Sequence, residues 1–329
     1  MHENLIKSPA VEKVAAVYPF RATDYYLELI RDTKNPSLDP VGLQCIPSEK
    51  ELEDRSSSED PLAEDHLSPL PRIIHKYDDR IVLLATNRCA VHCRFCFRKR
   101  CWKDGAEASD ISEEEADNVC RWLKLNPRVR EVLISGGDPL MLSDSKIAAL
   151  LEKLFASGVD IVRIGTRIPV VMPERITENL AKILASFPSI WVMTHFNHPN
   201  EITDKSMNAC KLLVNSSIPV LNQTVLLKGV NDDSETLETL FRALVKNKIK
   251  PHYLFHIDPV KGVRHFATGI EKGLEIIKSF RKKLSSIAVP IFAIDLPDGG
   301  GKAALQPCLF HDGGYESIDG RIIKYPEFK

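Results

Sequence analysis

Residues 81–100 read IVLLATNRCAVHCRFCFRKR. The apolar run IVLLAT (81–86) has the length and composition of a buried strand. It stops at Asn87, and Cys89, Cys93 and Cys96 follow at C-x3-C-x2-C spacing. A strand that delivers three thiols at its carboxyl end is the layout of an α/β barrel, where chemistry collects at the carboxyl ends of the strands. Three thiolates hold three corners of a cubane 4Fe-4S cluster, whose usual complement is four cysteines. The fourth iron is then free to bind a small molecule, and an open metal position marks a catalytic rather than a structural site. A zinc site is the poorer reading, because the paired C-x2-C spacing and a second downstream pair are missing. Three cysteines within eight residues, beside Arg94, Arg98, Lys99 and Arg100, also make a poor core segment.

Similar apolar runs recur about every 30 residues: EVLISGG (131–137), IVRIGT (161–166), IWVMTHF (190–196), IPVLNQTVLL (218–227), HYLFHI (252–257) and VPIFAIDL (289–296). Helix-like segments separate them, and Ser112, Ser143 and Thr177 stand where N-caps are expected. Continuous apolar strands alternating with helices predict a buried parallel sheet. Seven runs favour a full or partial TIM-like barrel over a Rossmann sheet. Before them, residues 1–70 are charged and mixed, with helical patterning at TDYYLELIR (23–31) and an acidic, Ser- and Pro-rich stretch, ELEDRSSSEDPLAEDHLSPLP. That acidic run reads as a solvated surface.

The 329 residues carry a formal charge of −1, so no global field favours nucleic acid or an anionic membrane. The eight cysteines are too few and too scattered for a disulfide scaffold. The opening MHENLIKSPAVEK lacks an apolar signal-peptide region, and no apolar stretch reaches the roughly 18 residues of a membrane span. A reducing, cytoplasmic location is the expectation.

The cysteine pattern resembles the radical S-adenosylmethionine (SAM) superfamily. The resemblance narrows with HKYDDR, SGGDPL, TRIPVVMPERIT, THFNHPNEIT, LNQTVLLKGVND and DLPDGGGK, which together are similar to the lysine 2,3-aminomutase family over roughly residues 60–302. It implies an α/β fold, a radical SAM partial TIM-like (β/α)6 barrel with a helical N-terminal extension (1–70), a barrel bearing a pyridoxal phosphate (PLP) site (71–308) and a C-terminal tail (309–329). The N-terminal region is expected to cover the barrel mouth.

The same resemblance implies roles. Cys89, Cys93 and Cys96 hold the 4Fe-4S cluster. Ser135, Gly136, Gly137 and Asp138, with His195, Asn222 and Gln223, contact SAM. Lys302 anchors PLP, whose phosphate Arg80 and Lys76 meet. Arg98 pairs with the substrate α-carboxylate, and Asp258 and Asp295 hold its ε-ammonium group. GGGK is no P-loop, since Ala303 follows Lys302 where a hydroxyl belongs. The implied reaction moves the amino group of L-lysine from C2 to C3, giving β-lysine, with an external electron donor such as flavodoxin or ferredoxin. Longer members build a zinc site using a cysteine after GVND; here Asp233 follows Asp232, so zinc is not expected, and the resemblance admits a homodimer. The short form is similar to the homologue that modifies elongation factor P. Two rival readings are an aminomutase for another amino acid such as glutamate, which the acids Asp258 and Asp295 oppose, and a non-catalytic iron–sulfur redox or sensor protein, which leaves DGGGK unexplained.

Overall fold

The computed structural model describes residues 8–54, 57–102, 109–311 and 313–324. Among these, the N-terminal segment contributes four short helices, α1 (Pro9–Ala15), α2 (Asp24–Leu27), α3 (Pro40–Cys45) and α4 (Lys50–Glu53). The helical pattern over 23–31 yields only the single turn of α2, capped by Thr23.

One nine-stranded sheet follows in chain order: β1 (Ile73–Tyr77), β2 (Arg80–Thr86), β3 (Glu131–Gly136), β4 (Ile161–Gly165), β5 (Ile190–Thr194), β6 (Val220–Leu226), β7 (Lys250–His256), β8 (Ile291–Leu296) and β9 (Gly301–Leu305). Strands β2 to β8 are parallel, and each corresponds to one of the seven apolar runs. Strands β1 and β9 add antiparallel at the two edges. Six crossovers carry the helices α5 (Glu113–Leu125), α6 (Asp144–Ala156), α7 (Glu178–Ala185), α8 (Asp204–Asn215), α9 (Ser234–Lys246) and α10 (Ile270–Lys283). Ser112, Ser143 and Thr177 each accept a hydrogen bond from a backbone N–H in the first turn of their helix, and Ser112 forms a full capping box with Glu115.

Alternation along the strands sorts the side chains. Ile81, Leu83, Val132, Ile134, Val162 and Ile164 face the helices and are at most 3% exposed. Each contributes about 1.5–3 kcal/mol by leaving water. Val82, Leu133, Arg163 and Gln223 face inward and line a cavity. The sheet curls until its edges meet through side chains rather than a backbone ladder. Lys76 of β1 reaches Asp295 of β8 at 3.3 Å, and the Lys302 backbone N–H of β9 donates to Tyr77 Oη at 2.9 Å. Beyond the barrel, β10 (Phe310–His311), β11 (Gly314–Glu316) and β12 (Ile322–Ile323) form a small antiparallel sheet tied to α10 by Lys278–Glu316 at 2.9 Å.

Candidate functional site

The inward face encloses a cavity of about 700 Å3 that runs from the cysteine loop down the barrel to the amino-terminal ends of the strands. Cys89, Cys93 and Cys96 all line its upper end. All three thiols are free of disulfides. Burial, with the neighbouring thiols next, pushes the Cys96 thiol up to about 12 and Cys89 well above the ordinary thiol range. Arg167 Nη1 donates to Cys93 Sγ at 2.9 Å. Three thiols facing one cavity, two of them costly to ionise unless a cation arrives, are the donor set an iron cluster requires. Among the described residues no three His, Cys, Asp or Glu side chains converge on a single ion. A multi-iron cluster differs here, because its ligands stand around a body of several atoms.

Arg167 is a site residue that the sequence reading left unassigned. Its guanidinium is fully enclosed, and Nη2 donates to Tyr26 Oη at 2.8 Å, Gln44 Oε1 at 2.6 Å and Glu201 Oε1 at 2.7 Å. Tyr26 and Gln44 come from the N-terminal helices, so this one arginine joins the extension, β4 and the cysteine loop. TRIPVV and THFNHPNE supply Arg167 and Glu201, but nothing in either string announces their pairing.

Gly136 and Gly137 leave β3 beside the cysteine loop. A Cβ on Gly137 would stand 2.2 Å from the Arg88 carbonyl, and one on Gly136 would stand 2.2 Å from the Thr86 carbonyl. Gly137 N–H donates to Thr86 O at 2.6 Å, and Asp138 N–H donates to Arg88 O at 2.7 Å. The glycine pair therefore pins the entry to the cysteine loop by close backbone approach. Asp138 lines the cavity, but its carboxylate accepts from Thr166 Oγ1 at 2.7 Å and from the Arg167 N–H at 2.7 Å. His195 and Gln223 also line the cavity. Burial, then Arg167, pushes the His195 imidazole down to about 3, so it is neutral.

Asn222, expected among the SAM contacts, does not reach the cavity. It is fully buried outside the cavity lining, where Oδ1 accepts from Phe196 N–H at 2.7 Å and Nδ2 donates to Phe196 O and Thr224 Oγ1. It braces β5 against β6. Neighbouring residues of a strand point to opposite faces, so Asn222 and Gln223 do not share one site.

Lys302 and Asp295 are register partners across β8 and β9. Lys302 Nζ lies 3.1 Å from Asp295 Oδ2 and 5.3 Å from the Phe255 ring centroid. Lys76, expected at a phosphate, instead places its ammonium on the same carboxylate at 3.3 Å and on Leu296 O at 3.4 Å. The curled sheet brings its edge strand against β8, and the nearest anion captures it. Arg80 lines the cavity's inner end, lies 3.8 Å over the Tyr77 ring and donates to Asp79 at 2.8 Å. Arg163 lines that same end, pairs with Glu131 and keeps a buried Nε–H without a partner. Asp258 is pushed up to about 7, first by burial and then by the Asp295 charge.

The acidic stretch is only in part a solvated surface: Glu53, Glu59 and Asp65 are exposed, but Glu51 and Glu64 turn inward. Glu51 is 1% exposed and Glu64 is 6% exposed. Glu51 takes Arg94 and Lys99, each at 2.6 Å, and Glu64 takes Arg98 at 2.7 Å. Arg100 reaches Asp60 at 3.1 Å. The basic run after the cysteines is thus neutralised by acids of the extension, which also removes it as a nucleic-acid surface. Leu62, Glu64 and Leu67 line the cavity from this side.

The radical SAM superfamily model matches residues 83–240. The chain is 44% identical over 312 residues to an L-lysine 2,3-aminomutase of Acetoanaerobium sticklandii, covering 93% of this chain and 74% of that one. It is 43% identical to the L-lysine 2,3-aminomutase of Methanococcus maripaludis, covering 96% and 74%. The glutamate 2,3-aminomutase of Clostridioides difficile is 36% identical over 95% of this chain and 75% of its own. A radical SAM methyltransferase of Sphaerobacter thermophilus superposes with a TM-score of 0.51 at 16% identity, covering 68% of each chain, which concerns the fold alone. No described helix is long and apolar enough to cross a membrane.

Proposed function

Because the chain belongs to the lysine 2,3-aminomutase family of radical SAM enzymes, we propose the following division of labour among its residues. The protein is an isomerase that moves the amino group of L-lysine from C2 to C3. When bound, the 4Fe-4S cluster with SAM supplies a hydrogen-abstracting radical, and PLP supplies the conjugated system over which nitrogen migrates. Cys89, Cys93 and Cys96 hold the cluster, and the glycine pair with Gln223 and His195 shapes the SAM side of the cavity. Lys302 holds PLP. Arg80, joined by the spare Nε–H of Arg163, faces its phosphate.

The observation that carries the lysine assignment is at Asp295. Its carboxylate already accepts two alkylammonium groups, from Lys302 at 3.1 Å and Lys76 at 3.3 Å. The ε-ammonium of a substrate lysine is the same chemical group. Asp258 beside it adds a second acid whose charge is disfavoured until a cation enters. An acidic side chain here meets two carboxylates, which opposes glutamate. Arg98 takes the α-carboxylate through a charge-assisted pair. A one-electron donor such as flavodoxin or ferredoxin reduces the cluster. The eight unbridged thiols suit a reducing cytoplasm, and a homodimer fits the family resemblance. Anaerobic reconstitution with iron, sulfide, PLP and SAM, followed by product analysis with L-lysine and L-glutamate, tests the assignment. β-Lysine from the first and no β-glutamate from the second is the expected outcome, and the reverse overturns it.

Two further results are expected. Asp295→Asn lowers kcat/KM for L-lysine on the order of a hundredfold, the scale of losing one partner of a desolvated charge pair. The melting temperature of the same variant reads separately what is lost with the Lys76 contact that joins β1 to β8; an unchanged rate places the ε-ammonium elsewhere. The KM for L-lysine falls as pH rises through about 7. Below that value Asp258 is protonated and neutral, above it anionic, and only the anion attracts the ammonium. Initial rates between pH 6 and 8 read this directly, and Asp258→Asn flattens the profile.

A further inference from the structure

The extension supplies the cavity with one acid, Glu64, that none of the roles above uses. Its carboxylate receives Arg98 Nε–H at 2.9 Å and Arg98 Nη2–H at 2.7 Å, a two-point pair along one edge of the guanidinium. Arg98 Nη1 donates to Ser135 Oγ at 3.1 Å, and the guanidinium lies 4.5 Å from the Phe97 ring centroid. Arg98 is 9% exposed and Glu64 is 6% exposed, and both line the cavity. A guanidinium has five N–H donors in a fixed fork, so a carboxylate on its Nε edge leaves donors of Nη1 and Nη2 for a second anion. Two carboxylates on one arginine repel unless another cation shares the charge. Arg100 contributes part of its charge, standing 3.4 Å from Glu64 while it also meets Asp60 at 3.1 Å and Asp65 at 3.4 Å.

We propose that Glu64 is a positioning residue that fixes the plane of Arg98, so that the arginine presents its remaining donors to the α-carboxylate of the amino acid substrate. The N-terminal extension thereby sets recognition of the carboxylate end, and does not merely cover the barrel. The inference rests on the assignment of Arg98 to that carboxylate. The geometry also defines its rival, in which Glu64 occupies the place of the substrate carboxylate and must be displaced.

The test uses the reconstituted holoenzyme with Glu64→Gln, Glu64→Asp and Arg98→Gln. It reads kcat and KM for L-lysine and the inhibition constant of 1,5-diaminopentane, which keeps both amines and lacks the carboxylate. Glu64→Gln is expected to raise the KM for L-lysine on the order of tenfold, with a smaller change in kcat, and to leave diaminopentane inhibition within about twofold. Glu64→Asp is expected to recover part of the loss. Equal weakening of both ligands marks general damage to the fold and overturns the proposal. An unchanged or lower KM also overturns it, and a lower one identifies Glu64 as a competitor of substrate. If Arg98→Gln leaves discrimination between the two ligands intact, the Arg98 assignment itself fails. If Arg98→Gln abolishes it and Glu64→Gln does not, only the role of Glu64 fails.

Discussion

Lys302→Ala is expected to abolish turnover, with a loss of at least about a thousandfold, and to remove the visible absorption of enzyme-bound PLP. The cavity lining contains two lysines, Lys76 and Lys302. Both ammoniums sit on Asp295, but they differ in setting. The Lys76 side chain is 13% exposed and is also tied to Leu296 O, whereas Lys302 is 35% exposed and rests on the carboxylate alone among polar side chains. The less restrained amine is the better nucleophile toward an aldehyde, because fewer contacts must break before it reacts. Its strand is held by the backbone, through the Tyr77 contact and the β8 ladder, so truncating the side chain leaves the anchor's scaffold in place. The melting temperature should therefore stay close to that of the parent protein. Parallel spectra of Lys76→Ala decide the matter: a band that survives Lys302→Ala and disappears with Lys76→Ala makes Lys76 the anchor.

Cys93→Ala is expected to be equally severe in activity and different in spectrum. Two thiols do not retain a cubane cluster that three were needed to hold, so the broad visible absorption of the reconstituted cluster and reductive cleavage of SAM both disappear. PLP absorption remains, because Lys302 lies on another strand. The substitution also takes away the sulfur that Arg167 contacts at 2.9 Å, while leaving that guanidinium its bonds to Tyr26, Gln44 and Glu201. Folding should consequently suffer by no more than about 1–3 kcal/mol, the ordinary range for a buried single substitution. Iron content and circular dichroism on the same sample separate the two effects. Retained iron at parental stoichiometry would remove Cys93 from the cluster.

That these two residues stand at the cavity was legible because their signals are local. A thiol triplet at fixed spacing and a lysine ending a glycine run are written in a few consecutive positions. The capped helices and apolar strands are local in the same way, which is why Ser112, Ser143 and Thr177 cap as expected and the seven runs became β2 to β8. Asn222 was within reach of the same reasoning: strand alternation alone separates it from Gln223, and its amide went to β5.

Other features had no local signal. Lys76 and Asp295 are 219 positions apart, and Arg98 and Glu64 are 34 apart. Charge in the stretch from Glu51 to Asp65 looked like a solvated face, because acidic and polar residues without hydrophobic periodicity ordinarily are one. Its match to the basic run Arg94, Arg98, Lys99 and Arg100 was the available clue, but complementary charge does not by itself say which acid meets which base.

The sequence by itself determined a parallel α/β barrel and the thiols at the end of its first parallel strand, since each follows from periodicity, capping and spacing between near neighbours; the role of Lys302, in β9, came from the family resemblance. The tertiary structure alone decided which acids meet the buried cations Arg94, Arg98, Lys99 and Arg167. Desolvation obliges a buried cation such as these to find an acid, and which one it finds depends on how far the sheet curls and where the extension packs.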